Sequence, residues 1–230
     1  FAAISAMDEQ IGRLLNAVEE QGLADNTVIL FTADNGMSMG QHGVWGKGNG
    51  TFPMNMYDSA VKVPFLISWP GHIPANTVCS EMVSACDLLP TILKLTGLSD
   101  KQPAGLPGRS FTELLKGEQR EHRDEVVIFD EYGPVRMIRT KEWKYVHRYP
   151  YGKHELYHLV DDPGEEKNLY GLPEYKKLVT QLKGRMEKWF CTYSDPAIDG
   201  VRSAVNGSGQ LCRPGVYAIY EDPFAPKGVE

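Results

Sequence analysis

Basic residues are in the minority here: 24 Lys and Arg against 30 Asp and Glu give a net charge of −6. Nucleic-acid and acidic-membrane binders concentrate excess Lys and Arg, so neither partner is expected, and an anionic ligand has to be met by local charge. No apolar run approaches the roughly 20 residues that cross a bilayer. The four cysteines, Cys79, Cys86, Cys191 and Cys212, form no C-x-x-C pair, which argues against thiolate metal chemistry. Spacing leaves open a Cys191–Cys212 bridge in the tail. The opening FAAISAMDEQ has no initiator Met, basic n-region or apolar h-region. It reads as a start partway through a protein, with an active site divided accordingly, and nothing fixes a compartment.

What is present suits a globular body. The 230 residues are 42% hydrophobic and 23% charged, enough for one sizeable core or two smaller ones. Ile4, Met7, Ile11, Leu14, Leu15 and Val18 recur at helical steps, with Gly22 as a stop. TVILFTA (27–33) is a continuous apolar run of strand length, of the kind buried on both faces in an α/β sheet. VPFLISW (63–69) is a second, ended by Pro70-Gly71. Asp87 is placed to cap a helix through LLPTILKL, which Gly97 would end.

The text changes near residue 98, where turn-rich and charged segments lead into four short strand-like runs: VVIFDEY, VRMIRT, WKYVHRY and ELYHL. Their short connections predict antiparallel pairing. Tyr175, Leu178, Val179, Leu182, Met186, Trp189 and Phe190 then form a helical stripe suited to covering one face of that sheet. The expected organisation is an α/β portion over 1–118 and an antiparallel α+β portion with an irregular tail over 119–230.

The chemistry concentrates in FTADNGMSMGQHGVWGKGNG (31–50), where a strand runs into Asp34 and Asn35 and then into a segment with six glycines. A carboxylate and an amide carbonyl are hard oxygen donors suited to Ca²⁺ or Mg²⁺, although Asp-Asn-Gly also makes an ordinary turn. Lys47, flanked by Gly46 and Gly48, offers a compact cation and approachable backbone N–H groups for a sulfate or phosphate. The glycine after Lys47 disfavours a nucleotide P-loop. We read the segment as mobile, and its His42 as structural. The other histidines lack zinc-helix spacing, and His147 is the one placed to line a cleft.

The succession MDEQIGRLLNAVEEQGLADNTVILFTADNG, GQHGVWGKG and VKVPFLISWPG resembles the formylglycine-dependent sulfatases of the alkaline phosphatase superfamily. The later RMIRTKEWKYVHRY and ELYHLVDDPGEEKNLY resemble their C-terminal subdomain. The resemblance runs to about residue 190. It implies a layered α/β sheet portion plus a C-terminal antiparallel sheet packed on a helix. It also implies that Asp34 and Asn35 bind a divalent cation, usually calcium, with Mg²⁺ as the alternative, and that Lys47 contacts the sulfate. No cysteine has the C-x-P-S-R context of the family's nucleophile, so the formylglycine and the first metal-binding aspartates are expected outside this chain, in an N-terminal part of the same enzyme. The expected substrate is a small-molecule or saccharide sulfate ester. A phosphonate monoester or phosphodiester hydrolase is the rival, and so is a non-catalytic glycan-binding fragment using Trp45, Trp143, Tyr149 and Tyr151.

Overall fold

The computed structural model describes residues 1–51, 53–118, 121–130, 133–149 and 152–202. The first helix, α1 (Ala2–Glu20), ends with Gly22 in the left-handed region at φ 66°, where the Leu23 N–H reaches back to the Val18 carbonyl. The two apolar runs form β1 (Ile29–Thr32) and β4 (Phe65–Ser68). They pair with each other antiparallel, from Ile29 opposite Ser68 to Thr32 opposite Phe65. This corrects the reading of 27–33 as doubly buried. Among the described residues the ladder has two strands, and Phe31 and Leu66 are exposed.

Between β1 and β4 lie a small hairpin, β2 (Ser38–Met39) with β3 (Trp45–Gly46), and a one-turn helix α2 (Asp58–Val61). Helix α3 (Leu88–Leu95) forms as the sequence predicts, with Gly97 at φ 74° just past its end. Asp87 does not cap it through its side chain. With Ser84 it closes a capping box on the preceding 3₁₀ turn, Ala85–Asp87. Its fully buried carboxylate also accepts the Arg109 N–H at 2.7 Å and pairs with the Arg123 guanidinium. Burial alone would raise the Asp87 pKa, but the Arg123 hydrogen bonds and the backbone donors outweigh it and hold the carboxyl below its ordinary value. A short helix, α4 (Thr112–Leu115), follows.

The four later runs form one antiparallel sheet in sequence order, β5 (Val126–Phe129), β6 (Val135–Arg139), β7 (Trp143–Arg148) and β8 (Glu155–His158). Its register builds two rows of opposite facing. Val127, Ile138, Tyr145 and Leu156 lie across from one another. They pack against Leu182, Met186 and Phe190 of α5 (Lys176–Tyr193). The neighbouring row, Ile128, Met137 and Val146, meets Met54 and Met56 from the segment between β3 and α2. Because both faces are covered, every β7 residue after Trp143 is buried. The Cys191–Cys212 pairing lies outside the described residues, as does Tyr151. No described helix is long and apolar enough to cross a membrane.

Candidate active site

Asp34 and Asn35 follow the end of β1, where the chain leaves the ladder. The turn is set by Gly36, whose N–H donates to the Ala60 carbonyl at 2.9 Å. A Cβ on Gly36 would meet the Ser59 carbonyl oxygen at 2.2 Å, so this close approach to α2 admits only glycine. Two residues on, the Ser38 and Ser59 hydroxyls share a hydrogen bond of 2.7 Å. The metal-type pair therefore stands on a turn pinned to α2.

Asp34 is exposed and accepts the Asn35 N–H on Oδ1 at 2.9 Å. The Asn35 Nδ2 donates to the Gly36 carbonyl at 2.8 Å, which fixes the amide so that Oδ1 faces outward to Lys47. The Lys47 Nζ lies 3.3 Å from that oxygen. Asn35 and Lys47, twelve positions apart in sequence, are thus brought into contact, with Asp34 adjoining Asn35 in the chain. An oxyanion engaged by the Lys47 ammonium would lie beside the Asn35 carbonyl oxygen.

The segment read as mobile is a hairpin, with Ser38 opposite Gly46 and Met39 opposite Trp45. Two-residue strands are too short to show alternation, which is why the glycines dominated the reading. His42 occupies the left-handed region at φ 55° and stacks face to face on Tyr57, ring centroids 3.6 Å apart. Its role within this chain is packing. Asn55 holds the lysine loop from beneath, donating both its backbone N–H and its Nδ2 to the Gly48 carbonyl at 3.0 and 3.1 Å. Sequence reading missed Asn55, Tyr57 and Asp58 because MNMYD carries no motif. The alternation of its two methionines with polar residues was the available signal.

His147 lines no cleft. It is buried on the α5 side of the sheet, hydrogen-bonded through Nδ1 to the Tyr145 hydroxyl at 2.7 Å and stacked on His154 at 4.0 Å. Burial, with His154 and nearby cations, lowers its pKa to about 3, and burial beside Arg148 lowers that of His154 to about 4. Of the aromatic residues considered for glycan binding, Trp143 packs against Tyr175 and the sheet core, and Tyr149 packs edge-on against His147. Trp45 remains exposed.

Two oxygens from Asp34 and Asn35 fit a hard dication in kind and fall short in number, since calcium takes about 6 to 8. No group of three or more His, Cys, Asp or Glu side chains suited to a metal occurs among the described residues.

Residues 40–191, which include Lys47, match the family described as N-sulphoglucosamine sulphohydrolase, C-terminal. The chain is similar to an N-acetylglucosamine-6-O-sulfatase of Bacteroides thetaiotaomicron, 31% identical over 210 residues that cover 85% of this chain and 36% of the relative. A protein solved in complex with its substrate D-glucosamine-2-N,6-O-disulfate superimposes with a TM-score of 0.75 at 30% identity, covering 87% of this chain and 41% of the other. The phosphonate monoester hydrolase of Agrobacterium radiobacter gives 0.70 at 26% identity, covering 85% and 41%. The chain therefore spans less than half the length of the proteins it matches, 36% to 41% for these three. Those likenesses also carry the fold, a portion of an alkaline-phosphatase-like α/β layer followed by the antiparallel sheet. With the family match extending over most of its length, the chain belongs to the sulfatase family, as its C-terminal part.

Proposed function

We propose that this chain is the C-terminal part of an enzyme that hydrolyses sulfate esters, with sugar sulfates as the favoured substrates. The observation that carries the reading is the contact between Asn35, beside Asp34 at the end of β1, and Lys47, whose Nζ lies 3.3 Å from Asn35 Oδ1. Asp34 and Asn35 would hold one side of a calcium ion, with Mg²⁺ as the alternative, and further ligands would come from the N-terminal part of the same enzyme. When bound, the cation supplies Lewis-acid stabilisation of charge on the sulfuryl oxygens. The formylglycine nucleophile would also come from outside this chain.

Lys47 binds the sulfate and stabilises its developing negative charge as the ester oxygen departs. Asn35, its Nδ2 tied to the Gly36 carbonyl, would have its carbonyl oxygen free to serve as a ligand to the cation. Asn55 and the hairpin keep the lysine loop at a fixed distance from that pair. The exposed α1 face and the open faces of the β1–β4 ladder would be covered by the N-terminal part, and the two portions of this chain would divide near residue 118. The sugar-sulfate assignment draws on relatives whose names specify sulfated sugars.

The test uses the complete enzyme with 4-nitrophenyl sulfate. Lys47→Ala should lower kcat/KM by about 10²- to 10³-fold with an unchanged melting temperature. Unchanged kcat/KM would remove Lys47 from the chemistry. The likeness to phosphonate monoester hydrolases at a TM-score of 0.70 makes phosphonate hydrolysis the second reading. Faster turnover of a 4-nitrophenyl phosphonate than of the sulfate would favour it.

A further inference from the structure

Residues 54–58 form a strap between the four-stranded sheet and the candidate site. Met54 and Met56 are buried against Val135, Met137 and Val146 of the sheet. The alternate residues turn the other way: Asn55 holds the Gly48 carbonyl, and Tyr57 stacks on His42. The strap ends at Asp58, where charge replaces apolar packing.

Lys144 on β7 is fully buried, and its ammonium meets three oxygens: Asp58 Oδ1 at 2.5 Å, Glu165 Oε1 at 2.5 Å and the Met56 carbonyl at 3.0 Å. The ammonium thus donates hydrogen bonds to Asp58 and Met56, while Glu165 Oε1 faces it as an ion pair outside hydrogen-bond geometry. Glu165 uses its other oxygen to accept the Asp58 N–H at 2.6 Å. Arg139 on β6 lays its guanidinium along the Asp58 carboxylate, Nε at 3.3 Å and Nη2 at 3.1 Å. The exposed Lys62, one turn on, adds a looser pairing at 3.6 Å; the closer partners of Asp58, namely Lys144, Arg139 and Glu165, come from the sheet or the loop after it. Glu165 stands in the left-handed region at φ 56°, a conformation that a non-glycine residue keeps only where its surroundings enforce it.

Buried ion pairs are poor stabilisers compared with well-packed apolar side chains, because desolvation offsets their attraction. Their strength is directional: an apolar contact tolerates sliding, whereas this cluster fixes Asp58 along both its carboxylate and its N–H. Asp58 opens α2, and α2 supplies the Ala60 carbonyl that accepts the Gly36 N–H and the Ser59 hydroxyl that meets Ser38. A continuous path of short contacts thus runs from β7 to the turn bearing Asp34 and Asn35.

We propose that Lys144, acting with Glu165 and Arg139 on Asp58, is a positioning residue for the Asp34–Asn35–Lys47 site, through which the C-terminal sheet sets the site's geometry. The catalytic consequence rests on the function proposed above; the mechanical one does not. Amide hydrogen exchange on the complete enzyme separates them. In Lys144→Met, the Gly36 and Asn55 amides should exchange at least about tenfold faster, while the Ile138 and Val146 amides stay protected, because local opening exposes only the segment released. Met186→Ala, which loosens the α5 face of the same sheet, should instead accelerate Ile138 at least as much as Gly36.

Asp58→Asn, a gentler change at a partly exposed residue, should reproduce the Lys144→Met pattern and keeps the test open if the lysine variant does not fold. Uniform acceleration, unchanged Gly36 and Asn55, or failure of both variants to fold would each overturn the proposal. A positioning role further requires kcat on 4-nitrophenyl sulfate to fall at least about tenfold with KM changed less than about threefold. Localised exchange with unchanged turnover would uphold the path from sheet to turn and overturn the assignment of that turn to catalysis.

Discussion

Helices α1 and α5 are 19 and 18 residues long, and both carry apolar side chains at three- and four-residue steps. α5 buries Leu182, Met186 and Phe190 against the sheet, whereas α1 buries none of its residues and leaves Ile4, Met7, Leu14 and Leu15 exposed. The helices differ in what the chain supplies opposite them. The strands that cover α5 precede it directly, so its partner surface forms from neighbouring sequence. Among the described residues no element buries the apolar face of α1, and the two-stranded ladder that follows it is only partly covered. An amphipathic pattern specifies that a face will be covered and leaves open by what.

The sharpest way to break this contrast is to cut into each side. Met186→Ala removes a fully buried side chain from the centre of the α5 contact. Such truncations cost about 2 to 5 kcal/mol. Urea denaturation of the chain, followed by tryptophan fluorescence, should show a loss in that range. A loss under about 1 kcal/mol would mean that the sheet and helix do not form the stable unit of the molecule.

A second test concerns backbone approach in the less covered portion. At Gly36 an added Cβ would collide with the Ser59 carbonyl at 2.2 Å, so Gly36→Ala should destabilise the turn by about 1 to 3 kcal/mol, as overpacking does. In the complete enzyme, calorimetry should show weakened calcium binding for the same variant. Wild-type calcium affinity would separate the turn from the metal.

The four strands and α5 were legible in the sequence because each carries its own period, and short connections left antiparallel pairing as the economical arrangement. Asp34, Asn35 and Lys47 were legible as residue types, and the structure supplies the contact between Asn35 and Lys47. The second covered face of the sheet was not legible. Lys144 and Arg148 occupy the same face as Val146, and a charged residue in a strand ordinarily signals solvent. Here the Lys144 charge is matched by Asp58 and Glu165, which lie 86 and 21 positions away, and no local pattern encodes such a pairing. Asp87 misled for a related reason: its carboxylate bonds Arg109 and Arg123, which arrive from later in the chain, in place of the helix it precedes.

The sheet portion should also respond to acid in a way that the exposed helix does not. His147 and His154 stack within the α5 side of the sheet, and burial holds them neutral, with pKa values lowered from 6.5 to about 3 and about 4. A group whose folded pKa is depressed contributes stability that is complete above its unfolded pKa, because folded and unfolded chains are then equally unprotonated. Below that value the unfolded chain takes up protons that the folded chain refuses. The urea midpoint should therefore decline as pH falls from about 6.5 toward about 4, and His147→Phe should make the decline shallower. The variant also loses the hydrogen bond to Tyr145, which lowers its whole curve, so the slope is the quantity that decides. A slope equal to that of the parent chain would assign the acid response to other groups.

The smallest expected effect tests the opposite side of the contrast. Gly12 lies within α1 with no atom within 4 Å of a Cβ placed on it, so Gly12→Ala meets no obstacle and gains about 1 kcal/mol of local helix propensity. Because α1 buries nothing in this chain, that gain has no packed surface through which to reach the core. Far-UV circular dichroism should register more helix at low urea, while the fluorescence midpoint, reporting Trp143 and Trp189 beside the core, moves by less than the equivalent of about 0.5 kcal/mol. In the complete enzyme, where the proposal has α1 covered, the same substitution should raise the midpoint of cooperative unfolding. If the midpoint of the isolated chain rose by the full propensity difference, α1 would already be coupled to the sheet, and the contrast between the two helices would be one of exposure alone.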